Sequence, residues 1–208
     1  MTTSAMPMNV KADLEVPDTN MPIIETKRLI IRLWKPSDLH DFYHYAKVPG
    51  VGEAAGWPHH TSIDESSQIL KKFIEIDGNY AIELKTNHKV IGSIGLHIRD
   101  ELLVQYAHLN QREVGYVLSK TYWGQGLMTE AVKAMIIYGF ETMQLDLLTV
   151  GHFTENAKSQ RVIEKNHFIY ETTGVYHSNS LKKDFDELKY VLTKDVFISH
   201  KDDFYSVL

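Results

Sequence analysis

A chain of 208 residues that is 43% hydrophobic, 11% aromatic and free of cysteine suits one globular domain with a substantial core, and excludes a disulfide framework or a cysteine metal site. Its formal charge of −5 at pH 7, without a basic block, argues against general nucleic-acid binding and favours a cationic partner. No apolar run reaches the ~18 residues of a membrane span and the N-terminus lacks the regions of a signal peptide, so a cytoplasmic location is expected.

Residues 1–21 mix Thr, Ser, Pro, Asn and Asp without either period and read as a surface leader or arm, leaving 22–208 as a single domain. Ile23 to Leu33 reads as a first strand. Lys35-Pro36-Ser37-Asp38 then supplies a proline and N-cap candidates for a helix carrying Leu39, Phe42, Tyr43 and Ala46. The turn-rich segment Val48 to His60 precedes a second helix opened by a capping-box pattern at Ser62-Ile63-Asp64-Glu65. Tyr80–Leu84 and Val90–Leu96 read as a hairpin, and Leu109–Leu118 as the next strand. From Gly126 the apolar positions Leu127, Ala131, Ala134, Met135 and Tyr138 recur at helical spacing. Leu145–Val150 is a short strand, Glu155–Lys165 a short helix, and Phe168–Tyr176 and Phe185–Leu192 close the pattern.

The strand that ends at Leu118 therefore enters a helix through Trp123-Gly124-Gln125-Gly126. Such a turn leaves the first helical amides without partners, and its glycines let a ligand approach the backbone, so a phosphate or pyrophosphate is the natural guest. A turn that serves packing alone has the same local pattern. Neither GxxxxGK[ST] nor GxGxxG fits, because Thr129 stands where the latter needs its third small residue. The stretch Trp123-Gly124-Gln125-Gly126-Leu127-Met128-Thr129-Glu130-Ala131 resembles the pyrophosphate loop of the GNAT acyl-CoA N-acyltransferases, in the variant found in their ribosomal-protein N-terminal acetyltransferase (RimJ/RimL-like) branch. Met128 departs from the family loop, which carries a small residue there. Thr26-Lys27-Arg28-Leu29-Ile30-Ile31-Arg32 is similar to that branch's opening, and the order of elements over residues 23–195 is the family's.

The resemblance implies a GNAT fold of the α/β (α+β) class: a mixed, mostly antiparallel sheet of about seven strands with helices on both faces. It further implies acetyl-CoA as co-substrate, held by Trp123, Gly124, Gln125, Gly126, Leu127, Met128 and Thr129, with Val117 and Leu118 offering backbone groups where two strands part. A backbone N–H of Leu118 would stabilise the oxyanion of acyl transfer. Asn156-Ala157-Lys158-Ser159 resembles the family's Asn-x-x-Ser, which implies Asn156 on the pantetheine chain and Ser159 beside the sulfur, with Lys165 toward the nucleotide. Asn156 as a plain helix cap and Ser159 as a solvated position fit the pattern equally.

Glu113, on the strand before the loop, is a candidate base for the incoming ammonium, or a strand carboxylate paired with a neighbouring cation. Glu53, Trp57, His59 and His60, in the irregular segment, are candidates for the acceptor side; adjacent loop histidines are more often merely exposed. His40 and His44 have i,i+4 spacing but lack the HExxH glutamate, so no metal is expected. The expected function is transfer of acetyl from acetyl-CoA to a primary amine, a protein N-terminal α-amine by resemblance, through a ternary complex. A small-amine or antibiotic acetyltransferase, a catalytically silent acyl-CoA-binding module and a phosphate-loop protein for another ligand are the alternatives. Neither nucleic acid nor membrane is an expected partner, and a homodimer is compatible with the reading.

Overall fold

The computed structural model describes residues 21–75, 78–98 and 104–208; residues 1–20 of the expected leader lie outside these. One sheet organises them: β1 (Ile24–Glu25), β2 (Leu29–Arg32), β3 (Asn79–Leu84), β4 (Lys89–His97), β5 (Gln111–Leu118), β6 (Leu147–Phe153), β7 (Ile169–Ser178) and β8 (Lys183–Thr193), in the order β1-β2-β3-β4-β5-β6-β8-β7. Among the described residues only β5 and β6 pair in parallel. This is the expected mixed, mostly antiparallel sheet, with eight strands rather than about seven. The additional strand comes from Ile23–Leu33, which is not continuous: the Thr26 hydroxyl accepts the Leu29 N–H at 3.0 Å while Thr26 N–H donates to the Leu29 carbonyl, folding the segment into β1, a tight turn and β2.

Helices α1 (Leu39–Ala46) and α2 (Ile63–Glu75) cover one face, α3 (Leu127–Ile137) and α4 (Ala157–Glu164) the other. Strand alternation divides the core between them: Tyr80, Ile82 and Leu84 join the cluster under α3, whereas Ala81 joins Phe42, Tyr45 and Leu70 under α1 and α2. A register shift at Ile82/Glu83 carries Val90 to the α1/α2 side while Ile94 and Leu96 remain on the α3 side. Each such buried aliphatic side chain contributes about 1.5–3 kcal/mol of transfer free energy.

The cap of α2 is displaced by one residue from the expected box. Ser62 Oγ accepts Glu65 N–H, but the Glu65 carboxylate reaches back to the N–H and hydroxyl of Thr61. After β8, α5 (Lys194–Ser199) and α6 (Lys201–Tyr205) bury Phe197 and Phe204 in the main core. No helix among the described residues is long and apolar enough to cross a membrane.

Candidate active site

The β5–β6 pairing runs only over Gln111–Glu113 with Leu147–Thr149; beyond it the strands part, and the wedge opens into a cleft of about 900 Å³. Which backbone groups face the wedge follows from register. Ser119 N–H donates to the Ile91 carbonyl at 2.7 Å, so alternation commits Val117, opposite Ser93, to β4 and turns Tyr116 and Leu118 toward the departed β6. Val117, expected to offer backbone groups, thus spends them on the ladder; Tyr116 takes its place. The Leu118 carbonyl is taken by the Trp123 indole N–H at 2.8 Å, leaving its amide as the group directed at the cleft.

At the loop, Gly124 and Gly126 have φ of +78° and +75°, a left-handed conformation that side-chain-bearing residues adopt at a cost. No side chain caps α3, whose first turn lines the cleft through Leu127, Met128 and Thr129. The departure at Met128 is resolved by its direction: the Leu127 and Met128 side chains are buried in the core, so only their backbone is presented to a ligand. Gln125 points back along the loop, its amide donating to the Thr121 carbonyl at 3.2 Å. Lys120, Lys158, Arg161, Lys165 and Lys183 line the cleft, and Lys158 Nζ stands 4.3 Å from the Trp123 ring centre.

A clamp absent from the sequence reading holds this loop. The Glu130 carboxylate, 6% exposed, accepts the Thr26 hydroxyl at 2.6 Å, the Arg28 N–H at 2.8 Å and Arg28 Nε at 2.6 Å, while Arg28 Nη1 donates to the Gln125 carbonyl. The Thr26-x-Arg28 opening and the Thr129-Glu130-Ala131 segment, separate motifs in sequence, are one structural unit. Arg32, by contrast, is structural: its guanidinium is buried between Asp38 and Glu83, whose attraction outweighs burial and raises its pKa.

Asn156 is the N-cap of α4: its side-chain oxygen accepts Ser159 N–H at 3.1 Å and its amide donates to the Ala54 carbonyl at 3.2 Å. Both it and Ser159 line the cleft. Ser159 Oγ shares a 2.7 Å hydrogen bond with the hydroxyl of Tyr116, whose pKa burial raises well above 10, so the phenol stays protonated at neutral pH. Tyr116 read as an ordinary strand residue, and only the packing of α4 onto β5 brings it to Ser159. Its inclusion in the Val114-x-Tyr116-x-Leu118 alternation was the available signal.

Glu113 lines the cleft at the fork of the wedge, opposite His97 on β4 and Thr149 on β6. A further carboxylate, Glu187, lies against the backbone of Gly151, where an added Cβ would stand 2.1 Å from its Oε1. Glu53 also lines the cleft. Burial opposes its charge, but hydrogen bonds from the His59 ring at 2.7 Å and from the N–H groups of Gly50 and His59 prevail and hold its pKa down to about 2. Trp57 and His60 instead line a second cavity of about 430 Å³ on the α1/α2 side, which meets the cleft at Ala55, Gly115, Tyr116 and Val117; His59 lines neither space. His60 is buried, bonded to Ser66 Oγ at 2.6 Å, and burial lowers its pKa, keeping it neutral. Among the described residues no three His, Asp or Glu side chains are grouped to hold a metal.

The sequence model for the acetyltransferase (GNAT) domain matches residues 28–169. The chain is 26% identical over 156 residues to the uncharacterized N-acetyltransferase YoaA of Bacillus subtilis (strain 168), covering 72% of this chain and 84% of that protein. Probable N-acetyltransferase YjcK of the same organism is 32% identical over 119 residues, 56% of this chain and 60% of its own. In structure, a GNAT-family acetyltransferase from Bacillus anthracis superposes with a TM-score of 0.72 at 22% identity, covering 84% of this chain and 99% of that one. A putative ribosomal-protein-serine acetyltransferase from Vibrio cholerae gives 0.68 at 18% identity, with 86% and 99% covered.

Proposed function

The chain belongs to the acetyltransferase (GNAT) family and is an acetyl-CoA-dependent N-acetyltransferase, and from that premise we propose that it moves the acetyl group directly onto a peptide N-terminal α-amine in a ternary complex. The observation that carries the reading is the opening of β5 from β6 beyond Glu113, between an uncapped helix start and the Tyr116–Ser159 pair. Both signs of charge line the cleft, Lys183 among them, with Lys120 and Lys158 beside the Trp123 ring of the loop and Glu53, Glu113, Glu155 and Glu187 as its carboxylates. The former suit phosphates and the latter an ammonium. One structural neighbour is named for acetylating a ribosomal-protein serine, which supports a protein acceptor.

In this reading the pyrophosphate takes the amides of Gly126 to Thr129, and the amine nitrogen attacks the thioester carbonyl carbon while the Leu118 N–H receives the charge developing on oxygen. As the C–N bond forms, the C–S bond breaks, and the Ser159 hydroxyl, backed by Tyr116, stabilises the departing thiolate. The ammonium sheds two protons: one passes through Glu113 to solvent and the other replaces the acyl group on sulfur. An α-amine, of pKa about 7.7–8.0, is roughly a tenth free base at pH 7, whereas a lysine amine at about 10.4 is far less so. An ordinary carboxylate base therefore serves the former better.

The test is competition between a free-N-terminus, lysine-free peptide and its N-terminally blocked, lysine-containing counterpart, read by mass spectrometry with acetyl-CoA. Acetylation of the α-amine is the expected result; acetylation confined to lysine refutes the α-amine assignment.

A further inference from the structure

The second cavity bears on which amines are accepted. Its walls are Phe42, Trp57, Ile69 and Phe73, and its junction with the cleft is kept open by Gly115, where a Cβ would stand 3.0 Å from the His97 ring. Glu65 is the one carboxylate among its described lining residues, none of which is Lys or Arg, and both the N–H and hydroxyl of Thr61 engage that carboxylate. A charged substituent here would give up water for a largely apolar wall, a cost that the Glu65 carboxylate offsets only in part for a cation and raises for an anion. The Tyr45 ring, on a side chain only 1% exposed, completes the aromatic lining.

We propose that the acceptor is a primary amine bearing an uncharged aromatic group, the ring lodged in this cavity and the amine at the Gly115–Val117 junction. This rests on the acetyl-transfer reading above. The shared chemistry is met by a peptide beginning with phenylalanine or tyrosine or by a free phenyl-ethylamine. A first residue as small as serine or alanine leaves most of the cavity empty, and lysine or aspartate introduces a charge.

The experiment measures kcat/KM with acetyl-CoA on the unaltered protein for peptides beginning with Tyr, Phe, Ser, Lys or Asp, beside tyramine, phenethylamine and 1,4-diaminobutane. Burial of an aromatic ring predicts a preference of about ten- to a hundredfold for Tyr- and Phe-first peptides over Ser-first. Ile69→Trp, which fills the cavity, should reduce that preference while calorimetry finds acetyl-CoA affinity unchanged. Transfer confined to tyramine and phenethylamine upholds the inference with a free small molecule as the source. Preference for Ser-, Lys- or Asp-first peptides or for diaminobutane overturns it. Absence of acetyl-CoA binding in the unaltered protein would instead remove the acetyl-transfer reading beneath it.

Discussion

Replacing Tyr116 by phenylalanine deletes one oxygen, the one bonded to Ser159 Oγ at 2.7 Å. The ring remains packed against the core, so the folded protein loses only the hydroxyl's bonds to Ser159, the 2.7 Å one and a 3.4 Å contact with its carbonyl, about 1 kcal/mol of stability. The effect on catalysis is larger, because the phenol supports a serine that faces charge developing on sulfur. A hydrogen bond to a charged partner contributes about 1.5–3 kcal/mol, which at about 1.36 kcal/mol per decade predicts a loss of roughly ten- to 150-fold in kcat. Acetyl-CoA affinity should be unaltered, since the hydroxyl acts on the leaving group rather than on the bound ground state. Single-turnover thiol release at saturating acetyl-CoA isolates the step. Because Tyr116 and Ser159 form one chain, the double variant with Ser159→Ala should fall little below the worse single variant. Burial raises the phenol above its usual range, so no alkaline decline in rate near pH 10 should trace to it. Full single-turnover rate in Tyr116→Phe, or losses that simply multiply in the double variant, would refute the leaving-group chain.

Gly126→Val should remove acetyl-CoA binding in calorimetry while circular dichroism remains native, because φ of +75° costs a β-branched residue about 1–3 kcal/mol and its side chain blocks the approach of a phosphate. Glu130→Ala removes the acceptor shared by the Thr26 hydroxyl and the Arg28 donors and, with Arg28 half-exposed and able to turn to water, should lower stability by about 1–3 kcal/mol in urea titration; wild-type stability would mean that the clamp is not structural. Asn156→Ala should cost about 1 kcal/mol through the lost cap, together with a raised KM for acetyl-CoA that tracks any displacement of Ser159. Glu53 has its folded pKa depressed to about 2, so its contribution is complete above the unfolded value near 4.3 and is lost as pH falls through about 2. The stability gap between the wild type and Glu53→Gln should therefore be constant above pH 6 and close on acidification; a gap that widens reverses the sign of the argument.

The features legible in sequence are those decided within a few residues: strand alternation in Val114-Gly115-Tyr116-Val117-Leu118, helical spacing after Gly126, and glycines where φ is positive. Local sterics and side-chain period govern all of these, so they survive without knowledge of what lies across the sheet. The break at Thr26 escaped that reading because a hydroxyl competing with the strand ladder leaves no mark on the hydrophobic pattern. The helices after residue 193 are six and five residues long, too short for a periodic signal, and are held by burial of Phe197 and Phe204. The pairs that give the site its chemistry are products of tertiary structure. Glu130 meets Arg28 across 102 residues and Tyr116 meets Ser159 across 43, through packing that no window of sequence contains. Whether Val117 or Leu118 faces the wedge turned on the β4–β5 register, because a shift of one residue exchanges every backbone group between the two neighbouring strands.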